Sequence, residues 1–267
     1  MGRGHVEHLH SPEVEPVDFG ASCWPAETAT RFLSRDADPN GGLTALLTLP
    51  AGYHRVAGSL ASDHQFLIMS GSLWIGDTAH VTGYYEFHPS GSGMDVWNTT
   101  EPCELLIKIE GSPDLVAGEA PVAEGFTAVD TARMPWLANP VPGAEPGLSV
   151  KILRSIEETG EMTAIVSNPP RFRYPMLEFH DCVEEMFLIE GDMRLANSGV
   201  MVPGTYFWRP GYITHGPFYS HLGSLMFLFT SSTLVNHVPR DPASTPEENF
   251  AQAAEEGTQI SWADAGW

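Results

Sequence analysis

Met186-Phe187-Leu188-Ile189-Glu190-Gly191 reads as a second copy of Phe66-Leu67-Ile68-Met69-Ser70-Gly71. Each is a short apolar run that closes on a polar residue and a glycine, the pattern of a buried strand ending in a hairpin turn. The likeness continues outward. Thr44-Ala45-Leu46-Leu47, then Pro50, matches Thr163-Ala164-Ile165-Val166, then Pro169; Gly83, Tyr85, Phe87 and Pro89 match Gly204, Tyr206, Trp208 and Pro210. Val17-Asp18 leads to Trp24 as Val129-Asp130 leads to Trp136. The offset is 112 residues between Trp24 and Trp136 and 121 between Pro89 and Pro210, a drift that small loop insertions explain. Several matches in one order mark an internal repeat. Two lobes are expected, residues 1–115 and 116–267.

Composition fits that division. A chain of 267 residues holds one large domain or two ordinary ones. Its 26 Gly and 22 Pro suit many short strands and turns. Further strands are read at Leu105–Ile109 and Ser224–Phe229. The best helical pattern is Pro246 to Glu256, with Ser244 or Thr245 as cap and Gly257 as stop. Residues 1–16 read as an arm, and Asn139 to Gly147 as a linker or long loop.

Thirteen Lys and Arg against 34 Asp and Glu give a net charge of −21. Phosphate backbones need clustered cations, so nucleic acid is excluded as a partner. No apolar run is long enough to span a bilayer, and Met1-Gly2-Arg3-Gly4-His5 lacks the hydrophobic stretch of a signal peptide. Cys23, Cys103 and Cys182 are odd in number and far apart, unlike a disulfide framework. The expectation is a cytoplasmic protein acting on a small molecule, with no nucleic-acid or membrane partner.

The second copy carries residues the first lacks: Glu178-Phe179-His180, then Glu184, Gly191, Gly204, Pro210 and His215. These resemble the two motifs of the cupin superfamily. Glu184 stands seven positions before Gly191 and four after His180, as in the first motif; Gly204, Pro210 and His215 follow the spacing of the second. Three departures stand out. Glu178 replaces the first histidine, Gly211 sits one place early, and no glycine opens the first motif. The resemblance implies an all-β chain of two tandem cupin-type (double-stranded β-helix, or jelly-roll) barrels with a short C-terminal helix, and a metal motif in the C-terminal lobe alone. Cupins often dimerise through sheet edges, so a homodimer is one assembly it implies.

The residues also argue for a metal on their own. Alternate side chains of a strand share a face, so Glu178 and His180 can enter one barrel. Two imidazoles with one or two carboxylates suit one first-row divalent ion, Fe(II) first, with Mn(II), Zn(II) or Ni(II) as alternatives. The expected ligands are Glu178, His180, Glu184 and His215, and Glu178 is alternatively the catalytic base. Tyr206, Trp208, Phe218 and Arg209 are the expected substrate-lining residues. His5, His8 and His10 lie in a polar arm and Cys182 within a turn, and neither is read as a ligand. By the repeat, Gly58, Leu60, His64 and Met94 stand at the four ligand positions of the first lobe, which is read as structural and metal-free. His54 and His88 fall outside those positions.

The function expected is a mononuclear non-haem oxygenase, of dioxygenase type, acting on a small aromatic or dicarbonyl compound. By resemblance, many metal-bearing cupins bind substrate through adjacent oxygens and then activate O2. The alternatives are a redox-neutral isomerase, cyclase or lyase, and a non-enzymatic sensor or binding cupin, because fold alone does not fix function.

Overall fold

The computed structural model describes residues 2–138, 146–196 and 199–256. The expected helix stop at Gly257 and most of the expected linker, 139–145, lie outside them. The chain divides into two units. One contains Met1–Gly4 and Ser11–Met134; the other contains His5–His10 and Pro135–Trp267. The division falls at Met134/Pro135, not at 115/116. Thr127–Asp130 pairs antiparallel with Tyr84–His88 of the first unit, and Val6–His10 pairs with Thr205–Arg209 of the second. The opening arm is therefore in part a strand.

Both units are antiparallel and repeat one topology. The large sheet of the first runs Thr127–Asp130, Tyr84–His88, His64–Ser70, Cys103–Ile109, Leu43–Leu49, Ala29–Arg35, Val17–Asp18. That of the second runs Val6–His10, Thr205–Arg209, Glu184–Gly191, Ser224–Thr230, Met162–Asn168, Ser149–Ser155, Leu137–Ala138. Each unit also has a four-stranded sheet: His54–Arg55, Trp97–Asn98, Ser72–Ile75, Thr78–Val81 in the first, which adds a three-stranded sheet of Gly93–Met94, Gly58–Leu60 and Leu115–Ala117, and Arg173–Tyr174, Phe218–Tyr219, Met193–Leu195, Gly199–Met201 in the second. Pairing places Val17–Asp18 opposite Leu137–Ala138 in the repeat, an offset of 120, so the match to Val129-Asp130 was out of register. Trp24 is accordingly buried while Trp136 is 45% exposed.

The glycines that close the apolar runs are corners rather than hairpin turns. Ser72–Ile75 pairs with Thr78–Val81 and Trp97–Asn98, not with His64–Ser70, so the chain changes sheets at Gly71. Gly71 has φ +77° and Gly191 φ +81°. A Cβ would lie 2.2 Å from the Pro102 carbonyl oxygen at the first and 1.9 Å from that of Gly223 at the second. Only glycine meets both demands.

Each barrel encloses its own apolar core. Leu47, Leu49, Phe66, Ile68, Trp97 and Leu105 form the centre of the first. The second is rich in methionine: Met162, Met186, Met193, Met201 and Met226 are all buried. Such residues stabilise by about 1.5–3 kcal/mol each on burial. The helix Pro246–Glu256 opens with a capping box, in which Thr245 Oγ1 accepts from the Glu248 amide at 3.3 Å and Glu248 Oε2 from the Thr245 amide at 2.8 Å. Its buried Asn249 donates to the Tyr212 carbonyl and to Thr214 Oγ1, both at 2.8 Å, and so pins the loop that delivers His215. Among the described residues no helix is long and apolar enough to cross a membrane.

Candidate metal centre

In the second unit Glu178 and His215, two of the expected ligands, meet on an isolated bridge with a second bridge beside it. Glu178 and His215 exchange backbone hydrogen bonds of 2.9 and 2.8 Å, and Phe179 exchanges two of 3.0 Å with His237. Alternation does the rest: Phe179 turns away and stacks on His237, while Glu178 and His180 enter the barrel. Glu178, His180 and His215, all buried, bring one ligand atom each within 4.8 Å of one another.

Both imidazoles are oriented from behind. His180 Nδ1 lies 3.0 Å from the Val235 carbonyl oxygen, and His215 Nδ1 3.0 Å from that of Ile213. A carbonyl only accepts, so Nδ1 carries the proton in each ring and Nε2 presents a lone pair, the arrangement typical of metal-binding histidines. Burial holds the His180 pKa below its ordinary value, keeping the ring neutral. Burial pushes Glu178 upward, but the facing His215 and His180 imidazoles and the Tyr174 hydroxyl outweigh it and hold the carboxyl below its usual range. Glu178 Oε2 is buried without a hydrogen-bond partner, which is costly unless an ion or ligand satisfies it. Two imidazole nitrogens and an orphaned carboxylate oxygen fit a divalent cation.

Glu184 stands one step aside. Its Oε2 is 3.6 Å from His215 Nε2 but accepts from Arg209 Nη1 at 3.0 Å. Arg209, in turn, is gripped by Glu7, whose Oε2 and Oε1 accept from Nε at 2.8 Å and Nη2 at 2.7 Å. Burial would lower the Arg209 pKa, but Glu7 and Glu184 hold it above its ordinary value. Sequence reasoning missed Glu7, which it placed in an N-terminal arm. The repeat held the signal, because Val6–His10 and Thr127–Asp130 are equivalent edge strands.

The site opens into a cavity of about 70 Å³, walled by Phe172, Tyr174, Met186, Phe207, Met226 and Leu228. Phe218 and Arg209 also line it; Tyr206 and Trp208 do not. The register sets this. Glu184 pairs with Arg209 and Met186 with Phe207, so residues 207 and 209 point inward. Tyr206 lies on the opposite face and donates to Glu185 Oε1 at 2.6 Å. Cys182 is buried, and its thiol is pushed up to about 12, first by burial, so it remains a neutral bystander.

The same positions in the first unit hold a different cluster. His64 Nε2 lies 2.9 Å from Met94 Sδ, and His88, its register partner, stacks on it at 4.9 Å. His88 thus occupies the place of Arg209, inside the barrel. Arg55, at the Tyr174 position, lies with its guanidinium 3.7 Å from the Trp97 ring and 5.1 Å from that of Trp24. A fixed cation fills the interior that is open in the second unit, and it would oppose a metal ion there by like charge.

Burial, then His88, lowers the His64 pKa from 6.5 to about 3. Between those values the unfolded chain takes up a proton that the fold refuses. Stability from this residue is therefore complete above pH 6.5 and is lost as pH falls toward 3, by up to about 1.4 kcal/mol per unit. Urea titrations between about pH 4 and pH 6 should show a shallower dependence by roughly one proton in His64→Leu; an unchanged slope contradicts the assignment.

Residues 124–233 match the ChrR Cupin-like domain family. No curated protein matches the sequence. Among solved structures, the chain is similar to a candidate dioxygenase from Nostoc punctiforme, with 19% identity over 90% of this chain and 88% of that one and a TM-score of 0.77. It is similar to the Ylba protein of E. coli at 14% identity over 84% and 89%, with a TM-score of 0.61. It is also similar to oxalate decarboxylase of Bacillus subtilis at 11% identity over 97% and 85%, with a TM-score of 0.57. At these identities the likeness concerns the fold. The chain is all-β, built as two tandem cupin-type jelly-roll barrels with a short C-terminal helix, and the match to a cupin-like family spans residues 124–233.

Proposed function

We propose that the second unit is a mononuclear metal-dependent oxygenase centre for a small dicarbonyl or dicarboxylate substrate. The observation that carries this reading is the meeting of two rear-tethered imidazoles with a buried carboxylate whose Oε2 is unsatisfied. His180, His215 and Glu178 would hold the ion, with Glu184 within reach as a fourth ligand. Fe(II) or Mn(II) suits this donor set and would supply Lewis acidity and access to O2 chemistry.

The remaining groups define what fits beside it. A cavity of about 70 Å³ is roughly half the ~150 Å³ apolar cavity known to admit benzene, so a compact dicarbonyl is favoured over an aromatic ring. Glu178, held ionised, is a poor proton acceptor and serves better as a ligand than as a base. Tyr174 is kept protonated by burial and by Glu178, and so offers an O–H at the cavity wall. Apolar walls exclude water from reactive species.

Tyr174 also favours a second reading, a redox-neutral lyase or isomerase on the same substrate class, because a proton donor there is useful without O2. Oxygen-electrode assays of Fe(II)- and Mn(II)-loaded protein with acetylacetone, oxalate and catechol separate the two. Uptake with acetylacetone or oxalate supports the oxygenase. Turnover without uptake supports the lyase, and uptake with catechol alone contradicts the size argument. Binding without turnover makes the protein a sensor. The His64→Leu variant should keep the metal content of the wild type.

A further inference from the structure

The strand Val6–His10 does more than cover a sheet edge. It pairs Val6 with Trp208 and Leu9 with Tyr206, leaving Glu7 and His8 both opposite Phe207 in a bulge. His8 has φ 57°, a conformation that a non-glycine residue adopts at a cost. Bulges re-aim side chains, often beside active sites. Here the bulged strand presents Glu7 to Arg209, a residue whose side chain is only 3% exposed.

Of the two forks of the Arg209 guanidinium, Glu7 occupies the side-on one, formed by Nε and Nη2. Nη1 is left with a single contact, to Glu184 Oε2, the same oxygen that faces His215 Nε2. A guanidinium without Glu7 would seek a second anion, and Glu184 is the one already touching it. Two parallel bonds from Arg209 would then turn Glu184 away from His215.

We propose that Glu7 is a positioning residue of the metal centre: by holding the Arg209 fork, it confines that cation to one bond with Glu184 and leaves Glu184 available as the fourth ligand. The N-terminal strand thereby sets the ligand number of a site some 170 residues away in sequence. This rests on the reading of the second unit as a metal centre.

The test uses the full chain and Co(II) as probe, with affinity from chelator competition and coordination from the visible absorption of the bound ion. Glu7→Ala should weaken Co(II) binding about 10- to 100-fold and change the spectrum toward a lower contribution from Glu184. Glu7→Gln, which keeps the shape without the charge, should fall between. The double variant Glu7→Ala/Arg209→Met removes the clamp together with the cation it restrains, and should recover wild-type affinity and spectrum. A merely structural strand predicts no such recovery. If Glu7→Ala does not fold, Glu7→Gln and the double variant still decide. Unchanged affinity and spectrum in Glu7→Gln and Glu7→Ala, or no recovery in the double variant, overturns the proposal while leaving the metal centre in place. Failure of the wild type to bind Co(II) overturns both.

Discussion

His215→Ala should abolish tight metal binding while the fold survives. Loss of a group that merely orients a ligand costs about 10- to 100-fold in affinity, and removal of the ligand itself should exceed about 100-fold. The fold should persist because residue 215 is held through its backbone, by the two bonds to Glu178, and its loop through Asn249. The change also removes the imidazole that, with His180 and Tyr174, helps hold the Glu178 carboxyl below its usual range. The Glu178 carboxyl should therefore move upward, toward what burial alone dictates. Metal content and near-ultraviolet circular dichroism together check this. Stoichiometric metal in a folded variant would remove His215 from the ligand set.

Arg209→Met should destabilise the second unit by roughly 3–5 kcal/mol, because breaking a buried ion pair leaves its partners charged and unpaired. Glu184 has a side chain only 9% exposed and Glu7 one of 28%. Methionine approximates the volume, so lost packing contributes little. Hydrogen exchange of the Thr205–Arg209 amides reads the change directly, and a loss below about 1 kcal/mol would mean that water or other groups satisfy the two carboxylates. The same substitution costs less when Glu7 is removed with it, because Glu184 alone is then left without its cation.

What the sequence disclosed depended on the range of the interaction. The meeting of Glu178, His180 and His215 was legible from strand alternation together with the resemblance to the cupin motif spacing. Glu184 was legible as a neighbour of His215, but its capture by Arg209 was not, because that contact depends on the cross-strand pairing of 184 with 209. Tyr206 and Trp208 were assigned to the wrong face for the same reason: period two leaves two choices, and only the pairing register selects between them. Val6–His10 pairs with a strand about 200 residues on, and nothing local in Val6-Glu7-His8-Leu9-His10 announces that partner. The repeat was visible from Thr44 onward, whereas the Trp24/Trp136 match misled because a shared Val-Asp pair outweighed the constant offset of the strands.

The central claim is that the second unit holds one divalent metal ion. Plasma mass spectrometry on untagged protein purified without oxygen tests it most directly. The account predicts about one iron or manganese per chain, lost in His215→Ala and kept in His64→Leu. A wild-type protein that holds no metal, even after reconstitution with Fe(II), Mn(II), Zn(II) and Ni(II), would contradict it.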